Sequence, residues 1–237
     1  DGIRRIIALS LYPHYSIATT GSAMSRFDDV IRQYDGIEAV RISSWFSHAG
    51  YIDALVEVIK KGIKKMKGQG ANTERGMRNA KIKSKNQNPK SKINHSELRT
   101  PDSEFDVHVL FSAHSLPMSI VESGDPYVNE IKGTIAEVLK KIDVKWDLSF
   151  QSKSGPVKWL EPTTEEKIRE LAGKGVGNLL VVPISFVSDH IETLYEIDIL
   201  YKRLADKLNI KMMRAESLNT NQFFIDALED IIIMRIK

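Results

Sequence analysis

The sequence predicts an α/β protein with mostly parallel sheets, and two features of the chain point to this fold class. Apolar runs of strand length alternate with stretches of helical periodicity along most of the chain. This alternation is typical of βαβ units, in which a helix crosses over between parallel strands. The chain also has 237 residues, of which 42% are hydrophobic, and it can therefore bury a core as one large domain or two small ones.

The individual elements follow from this alternation. The predicted strands are Arg5–Tyr12, Glu38–Ile42, Phe105–Ser112, Leu148–Gln151 and Asn178–Phe186. The predicted helices are Ser22–Tyr34, Tyr51–Met66, Tyr127–Ile142, Thr164–Gly173, Glu192–Leu208 and Gln222–Ile236. The fourth helix has the clearest start, because a threonine that can cap it stands directly before two glutamates.

Residues 67–104 interrupt the pattern, because they are rich in Lys, Asn, Gly and Ser and poor in large apolar side chains. Between Lys60 and Arg99 there are 13 basic residues and two acids, which give this segment a net charge of +11. The whole chain has a formal charge of +3, so the residues outside this segment carry a net charge of −8. Such a segment buries too little surface to offset its ordering entropy, and we predict a disordered basic insertion. A nucleic-acid tether is the alternative, but no aromatic side chain interleaves the charges, and we expect no nucleic-acid partner.

The chain contains no cysteine, and this limits its chemistry. Disulfides, thiolate zinc sites and cysteine-held iron–sulfur clusters are excluded for these residues. Any metal must be held by histidine, by carboxylate groups or by the ligand itself. No apolar run reaches the roughly 20 residues of a membrane-spanning helix, and no signal or transit peptide is visible.

A cluster of acids and an imidazole follows the last predicted strand. The segment VVPISFVSDHIETLYEID, residues 181–198, passes from an apolar run into Asp189, His190, Glu192 and Glu196. Ligands bind at the carboxyl ends of strands in open α/β sheets, and oxygen and imidazole donors together suit a divalent metal such as iron. A solvated acidic helix start, favoured by the helix dipole, is the alternative. We predict a metal-handling site in a cleft.

His114 is a second candidate group, in the segment FSAHSLP that follows an apolar strand. It lies where the strand gives way to a loop, and an imidazole that titrates near neutrality can act there as a general base. A histidine satisfied in the core, or simply exposed, is the alternative. A third segment, QSKSGPVKWL, also follows a strand, and its Trp159 could stack on a flat ligand or serve only in packing.

Together these segments resemble the ferrochelatases, the family that catalyses the terminal step of haem biosynthesis. The resemblance is carried by FSAHSLPMSIVESGDPY (111–127), QSKSGPVKWLEP (151–162) and VPISFVSDHIETLYEID (182–198). LYPHYSIATTGSA (11–23) and ESLNTNQFFIDAL (216–228) are similar to the same family, in the same order. The likeness covers nearly all of the chain outside residues 67–104.

The resemblance implies a chelatase-like fold of two Rossmann-like lobes with parallel sheets and a porphyrin between them. Residues 1–35 would be the remnant of a first α/β lobe, residues 36–221 a second lobe with the insertion, and residues 222–237 a C-terminal helix packing on the first lobe. Members of the family have a further strand and helix before the position that corresponds to Asp1. We therefore expect a truncated first lobe and little activity in this chain alone.

The resemblance also implies the reaction and its residues. Fe²⁺ would enter protoporphyrin IX as a substrate while two pyrrole protons leave, with no cofactor held permanently. His114 would be the proton acceptor or metal ligand, and Glu192 the acid facing it across the macrocycle. The implied metal set is His114, Glu192, Asp189, His190 and Glu196. The implied porphyrin contacts are Ser112, Ser152 and Trp159.

Two other functions remain open. One is a related chelatase that inserts another divalent metal, such as cobalt, into a different tetrapyrrole. The other is a non-catalytic fragment that binds porphyrin or metal. The resemblance leaves open a homodimer and a peripheral contact with a membrane. It implies the mitochondrial inner membrane or a plastid for a eukaryotic protein, and the cytoplasm for a bacterial one.

Overall fold

The computed structural model describes residues 2–83 and 107–236, without the side chains of residues 69–83. Within these ranges there are two parallel sheets. The first pairs β1 (Arg5–Leu9) with β2 (Glu38–Ile42), and the second has the strand order β4-β3-β5-β6. The strands of the second sheet are β3 (Val107–His114), β4 (Trp146–Gln151), β5 (Asn178–Pro183) and β6 (Lys211–Arg214). The parallel pairing confirms the predicted α/β class.

Helices connect these strands. They are α1 (Ser22–Ile31), α2 (Ala49–Lys83), α3 (Met118–Glu122), α4 (Tyr127–Leu139), α5 (Thr164–Gly173), α6 (Lys202–Lys207) and α7 (Gln222–Ile236). Two π-helices, Ile17–Gly21 and Thr193–Tyr201, directly precede α1 and α6. The helix predicted over residues 192–208 is therefore mostly a π-helix. Apolar periodicity does not distinguish the two, because the difference lies in bonding from i to i+5 instead of i to i+4.

Helix α2 runs into the segment that was predicted to be disordered. That prediction is wrong for residues 67–83, because the helix continues to Lys83. Nine of the 17 residues in this stretch are Lys, Arg, Gln, Ala or Met, which have high helix propensity, and no proline follows before Pro89. Residues 84–104 of the predicted insertion lie outside the described part of the chain.

The change from the first sheet to the second comes later than predicted. β2 pairs with β1 in register from Arg5 opposite Glu38 to Leu9 opposite Ile42. The predicted boundary between the two lobes, at residues 35 and 36, therefore falls inside the βαβ unit that these strands form with α1. Helix α2 then leads to the second sheet. Gly62 lets α2 approach β5 closely, because a Cβ at this position would lie 2.8 Å from a methyl carbon of Leu180.

Buried apolar side chains cover both faces of the second sheet. The larger cluster lies between this sheet and helices α2, α4 and α7, and it extends to Ile42 and Trp45 beside the first sheet. The smaller cluster includes Leu110, Ile168 and Ile197, under α5 and the second π-helix. The core is thus continuous between the two sheets, which holds their strand ends next to each other.

Helix α7 packs mainly on α2, where Gly50 faces Ala227 at close range. Its last turn also contacts the first sheet, since the Arg5 guanidinium donates a hydrogen bond to the carbonyl of Ile236 at 3.2 Å. No helix within the described ranges is both long enough and apolar enough to cross a bilayer.

Candidate active site

A cleft of about 260 Å³ opens at the carboxyl ends of β3 and β5. Its walls come from both sheets, because the loop after β1 faces the loops after β3 and β5. The lining residues are Tyr12, His14, Ser16, Thr19, His114, Leu116, Tyr127, Ser185, Phe186, His190 and Glu192. This is the edge of a parallel sheet at which ligand sites are expected.

His114 stands at the end of β3, and a closed ring of hydrogen bonds holds its backbone. Its N–H donates to Oγ of Ser185 at 3.0 Å, and its carbonyl accepts from the phenol of Tyr127 at 2.9 Å. The two hydroxyl oxygens are 2.6 Å apart, and Ser185 donates to Tyr127 because the phenol proton is already used. Burial raises the pKa of Tyr127, so the phenol remains a donor.

Glu192 brings a carboxylate to the imidazole of His114. Nδ1 of His114 lies 3.1 Å from Oε2 of Glu192, and the two side chains are 31% and 38% exposed. Both atoms are shielded from solvent, and neither has an aligned hydrogen-bond partner among the described residues. The contact is therefore a close approach between two potential ligand atoms and not a well-formed hydrogen bond.

This spacing suits the binding of one cation by both side chains. In an octahedral site with bonds of about 2.1 Å, neighbouring ligand atoms lie about 3 Å apart. A neutral imidazole can alternatively accept a proton, while the carboxylate stabilises the imidazolium that results. The pair can thus serve either metal transfer or proton transfer.

The remaining members of the predicted metal set do not converge on this pair. No group of three or more His, Asp or Glu side chains in the described ranges forms a metal site. Asp189 points to Arg214 and Asn219, at 3.2 and 3.0 Å, and these partners, Asn219 first, lower its pKa. His190 lines the cleft but stacks flat on Phe186, with ring centroids 4.8 Å apart.

Glu196 lies in a neighbouring pocket together with Ser152. The hydroxyl of Ser152 donates to Oε2 of Glu196 at 2.8 Å, and both residues line a pocket of about 270 Å³ separate from the cleft. Ser152 has a positive φ of 64°, an uncommon conformation for a residue with a side chain. Burial, and then the charge of Glu196, raise the pKa of Tyr201 in the same pocket.

Ser112 and Trp159 are placed differently from the prediction. Ser112 is 2% exposed, and its hydroxyl contacts Gln151 and Thr164 at 2.7 and 2.9 Å inside the protein, so it does not reach the cleft. Ser112 lies two residues before the end of β3, inside the sheet, and the predicted direct contact with porphyrin is therefore contradicted. Trp159 is half-buried and pairs through its backbone with Pro117, next to the cleft residue Leu116, and it too is not part of the cleft wall.

Several cleft residues were not predicted, notably His14, Tyr127 and Ser185. His14 follows the first predicted strand just as His114 follows the third, so the same rule would have found it. Tyr127 and Ser185 had no such signal, because their roles depend on hydrogen bonds that form only once two strands and a helix are assembled.

Comparison with known proteins identifies the family. The ferrochelatase family model matches residues 1–236. The chain is 44% identical over 235 residues to a ferrochelatase of Geobacter metallireducens, and 38% identical over 240 residues to one of Gloeobacter violaceus. Each match covers 98% of this chain and 63% of the relative, so the chain spans about 63% of the length of these proteins.

The fold has a counterpart among solved structures. Two structures of SirB from Bacillus subtilis, one of the sirohydrochlorin chelatase in complex with cobalt and one with Fe³⁺, superpose with TM-scores of 0.58 and 0.59. Both are 12% identical to this chain and cover 99% of it, and the matches cover 70% and 72% of SirB. This likeness concerns the fold alone and confirms that it is chelatase-like. With the family match over residues 1–236, it follows that the chain belongs to the ferrochelatase family.

Proposed function

We propose that this chain inserts ferrous iron into protoporphyrin IX to form protohaem. The observation that carries the proposal is the pair formed by His114 and Glu192, 3.1 Å apart on the wall of a cleft, in a member of this family. The macrocycle must lose two pyrrole protons and gain one Fe²⁺. A base and an anionic metal ligand at one point of the cleft match these two requirements.

His114 is the proposed proton acceptor. The hydrogen-bond ring through Tyr127 and Ser185 fixes its backbone, so the imidazole has a defined position relative to the cleft. A fixed base contributes to the rate because its orientation is set before the substrate binds. Glu192 is the proposed ligand that receives the iron and stabilises the imidazolium while the proton is held.

The aromatic part of the wall suits a flat, apolar macrocycle. Tyr12 meets Phe186 edge on, with ring centroids 6.4 Å apart, and Phe186 in turn stacks on His190. These rings come from the first sheet's loop and from the segment after β5. Because Tyr12 and Phe186 already contact each other, a tetrapyrrole stacked over this pair of rings would contact both sides of the cleft.

A chelatase for another divalent metal is the second candidate. Imidazole and carboxylate ligands bind iron, cobalt and other first-row ions, so the His114–Glu192 pair alone gives no selectivity among these metals. Competition between Fe²⁺ and Co²⁺ for insertion into protoporphyrin IX measures this choice, and we expect iron to be preferred. The relatives are named ferrochelatases, which supports iron, whereas the structure that contains cobalt is of SirB, which is only 12% identical to this chain.

We infer that the substrates are protoporphyrin IX and Fe²⁺. The relatives named above are bacterial, and we infer the cytoplasm of a bacterium instead of a mitochondrion or plastid. A homodimer and a peripheral contact with a membrane remain proposals.

The test of the function is substitution of the proposed base in a protein with the full length of its relatives, because this chain spans about 63% of that length. His114→Ala is expected to reduce iron insertion by about 10²–10⁴-fold, because it removes a general base. His108→Ala is the matched control, since His108 lies on the same strand but pairs with Asp147 at 2.9 Å. Insertion is followed by the absorbance of protohaem, and circular dichroism checks the fold. Near-normal insertion by a folded His114→Ala protein would contradict the proposal.

A further inference from the structure

A second imidazole, that of His14, forms part of the same cleft wall as His114 and Glu192. It is 1% exposed and lies in the loop that follows β1, so it comes from the side of the first sheet. Its ring meets the ring of Tyr127 edge on, with centroids 6.2 Å apart. The proton and metal roles proposed above do not use it.

The hydrogen bonds of Thr134 fix the tautomer of His14. The Thr134 hydroxyl lies 2.7 Å from the carbonyl oxygen of Phe46 and must donate its single proton there. Nε2 of His14 lies 2.9 Å from the same hydroxyl oxygen, so Nε2 has to be the donor in that contact. The imidazole proton is therefore on Nε2, and Nδ1 carries a lone pair.

Nδ1 of His14 has no hydrogen-bond partner among the described residues and is shielded from solvent. Burial lowers the pKa of His14 to about 3, so the ring stays neutral near pH 7 and accepts protons poorly. Buried polar atoms are normally paired, and an unpaired one calls for an explanation. His14 itself lines the cleft, so a ligand that displaces the side chains over Nδ1 can supply the missing donor.

We propose that Nδ1 of His14 accepts a hydrogen bond from an inner N–H of the free-base tetrapyrrole, and that this contact makes the cleft prefer the free base to the metallated ring. The inference rests on the proposed function. A free-base porphyrin carries two inner N–H donors, which tilt towards a wall when the ring is distorted, and metal insertion removes both. The product cannot make the bond, so the same contact favours substrate binding and product release.

The test compares the affinity of two rings. Protoporphyrin IX and its palladium(II) derivative, whose four-coordinate metal takes no axial ligand, are each titrated into the protein and followed by absorbance. His14→Phe keeps an aromatic ring against Tyr127 but removes the acceptor. The preference for the free base, as a ratio of dissociation constants, is expected to fall about two- to tenfold, the value of one neutral hydrogen bond.

Thr134→Val provides a second variant that leaves the His14 ring in place. Without the hydroxyl, the imidazole proton is free to occupy either nitrogen, and the preference for the free base is expected to fall part of the way. Nitrogen NMR of histidine-labelled wild-type protein is expected to show an unprotonated Nδ1 at His14. A proton on Nδ1, or an unchanged affinity ratio in His14→Phe, would overturn the inference.

Iron insertion measured on the same wild-type preparation separates this inference from the proposed function. If the wild type inserts iron but the affinity ratio does not respond to His14→Phe, the role of His14 fails while the function stands. If the wild type neither binds the free base nor inserts iron, both fail.

Discussion

At the scale of single residues, the carboxylate of Glu192 offers a direct test of the cleft. Glu192→Gln keeps the shape but removes the charge, and it is expected to lower the turnover of iron insertion by about 10²-fold or more with little change in porphyrin affinity. Glu216→Gln is the matched control, because Glu216 is 70% exposed and only approaches Lys65, at 3.9 Å. Steady-state kinetics and fluorescence titration check the two quantities. Weaker porphyrin binding with unchanged turnover would contradict the role.

Asp189 is expected to behave differently, as a structural acid. Asn219 and Arg214 lower its pKa, so its contribution to stability is present above the ordinary aspartate pKa and is lost as the pH falls through the lowered value. Asp189→Asn should therefore be less stable than the wild type at pH 7, and the gap should narrow below about pH 4.

Urea unfolding of both proteins between pH 7 and pH 3 measures this gap. Iron insertion by Asp189→Asn should fall far less than in Glu192→Gln, because Asp189 points away from His114. A gap that widens on acidification, or a comparable loss of insertion, would show that Asp189 belongs with the metal ligands.

The positions of some side chains in the site could be predicted from the sequence, and those of others could not. The resemblance implied that Glu192 faces His114 across the macrocycle, whereas Nδ1 of His114 and Oε2 of Glu192 lie 3.1 Å apart, too close for a ring between them. Asp189 follows the same strand as Glu192, but its side chain turns to Arg214, and that choice depends on β6. Ser112 lies one strand period before His114, which is enough to move it from the edge into the interior.

At the scale of elements, the contact between α2 and β5 depends on Gly62, a residue without a side chain. Gly62→Leu would place a large group against Leu180, which is fully buried, and is expected to destabilise the protein by about 1–3 kcal/mol or more through overpacking. Gly68→Leu in the same helix is the control, since no atom of residues 2–83 and 107–236 that the structure describes lies within 4 Å of a Cβ there. It should be neutral or slightly stabilising, because leucine favours helix over glycine.

Thermal unfolding of the two variants decides this prediction. Equal stability of Gly62→Leu and Gly68→Leu would mean that α2 does not pack on β5 as described. The comparison keeps the residue type and the helix constant and changes only the local space.

Elements with strong local signals were predicted well. β2, α5 and α7 begin and end where predicted, and Thr163 caps α5 through a reciprocal pair of bonds with Glu166. β6 was missed, because its four residues KMMR carry no strand pattern and gain their structure by pairing with β5. The extension of α2 was missed because the low apolar content of residues 67–83 indicates disorder although their helix propensity is high.

At the scale of the whole molecule, a buried carboxylate and a half-buried one join the first sheet's loop to α4 and the turn before it. Asp125 accepts hydrogen bonds from the Ser16 hydroxyl, at 3.0 Å, and from the backbone N–H of Ile17, at 2.6 Å. Glu130 accepts from the N–H of Tyr15 at 2.6 Å, while burial raises its pKa. These bonds hold the cleft wall that contains His14 against the wall that contains His114.

Asp125→Ala is expected to destabilise the protein by about 3 kcal/mol, because it removes bonds to a charged acceptor and leaves buried donors unpaired. Porphyrin affinity should fall as well, since one wall of the cleft would lose its anchor. Glu122→Ala, at an exposed acid three residues earlier, is the control. Denaturant unfolding and porphyrin titration measure both effects, and a variant of wild-type stability would contradict this view of how the walls are joined.

The second π-helix has a consequence for how the gene can change. A π-helix bonds from i to i+5, so it holds about one residue more than an α-helix with the same ends. Loss of one codon within residues 193–201 could therefore leave a helix that still links the cleft to α6. The side chains after the lost residue would keep their positions, because the change from π-helix to α-helix absorbs the loss, whereas an inserted residue would turn them by about 100° about the axis. A deletion in this segment would thus leave both Glu192 and Tyr201 in place, and an insertion would reorient Tyr201 and alter the neighbouring pocket before it altered the cleft.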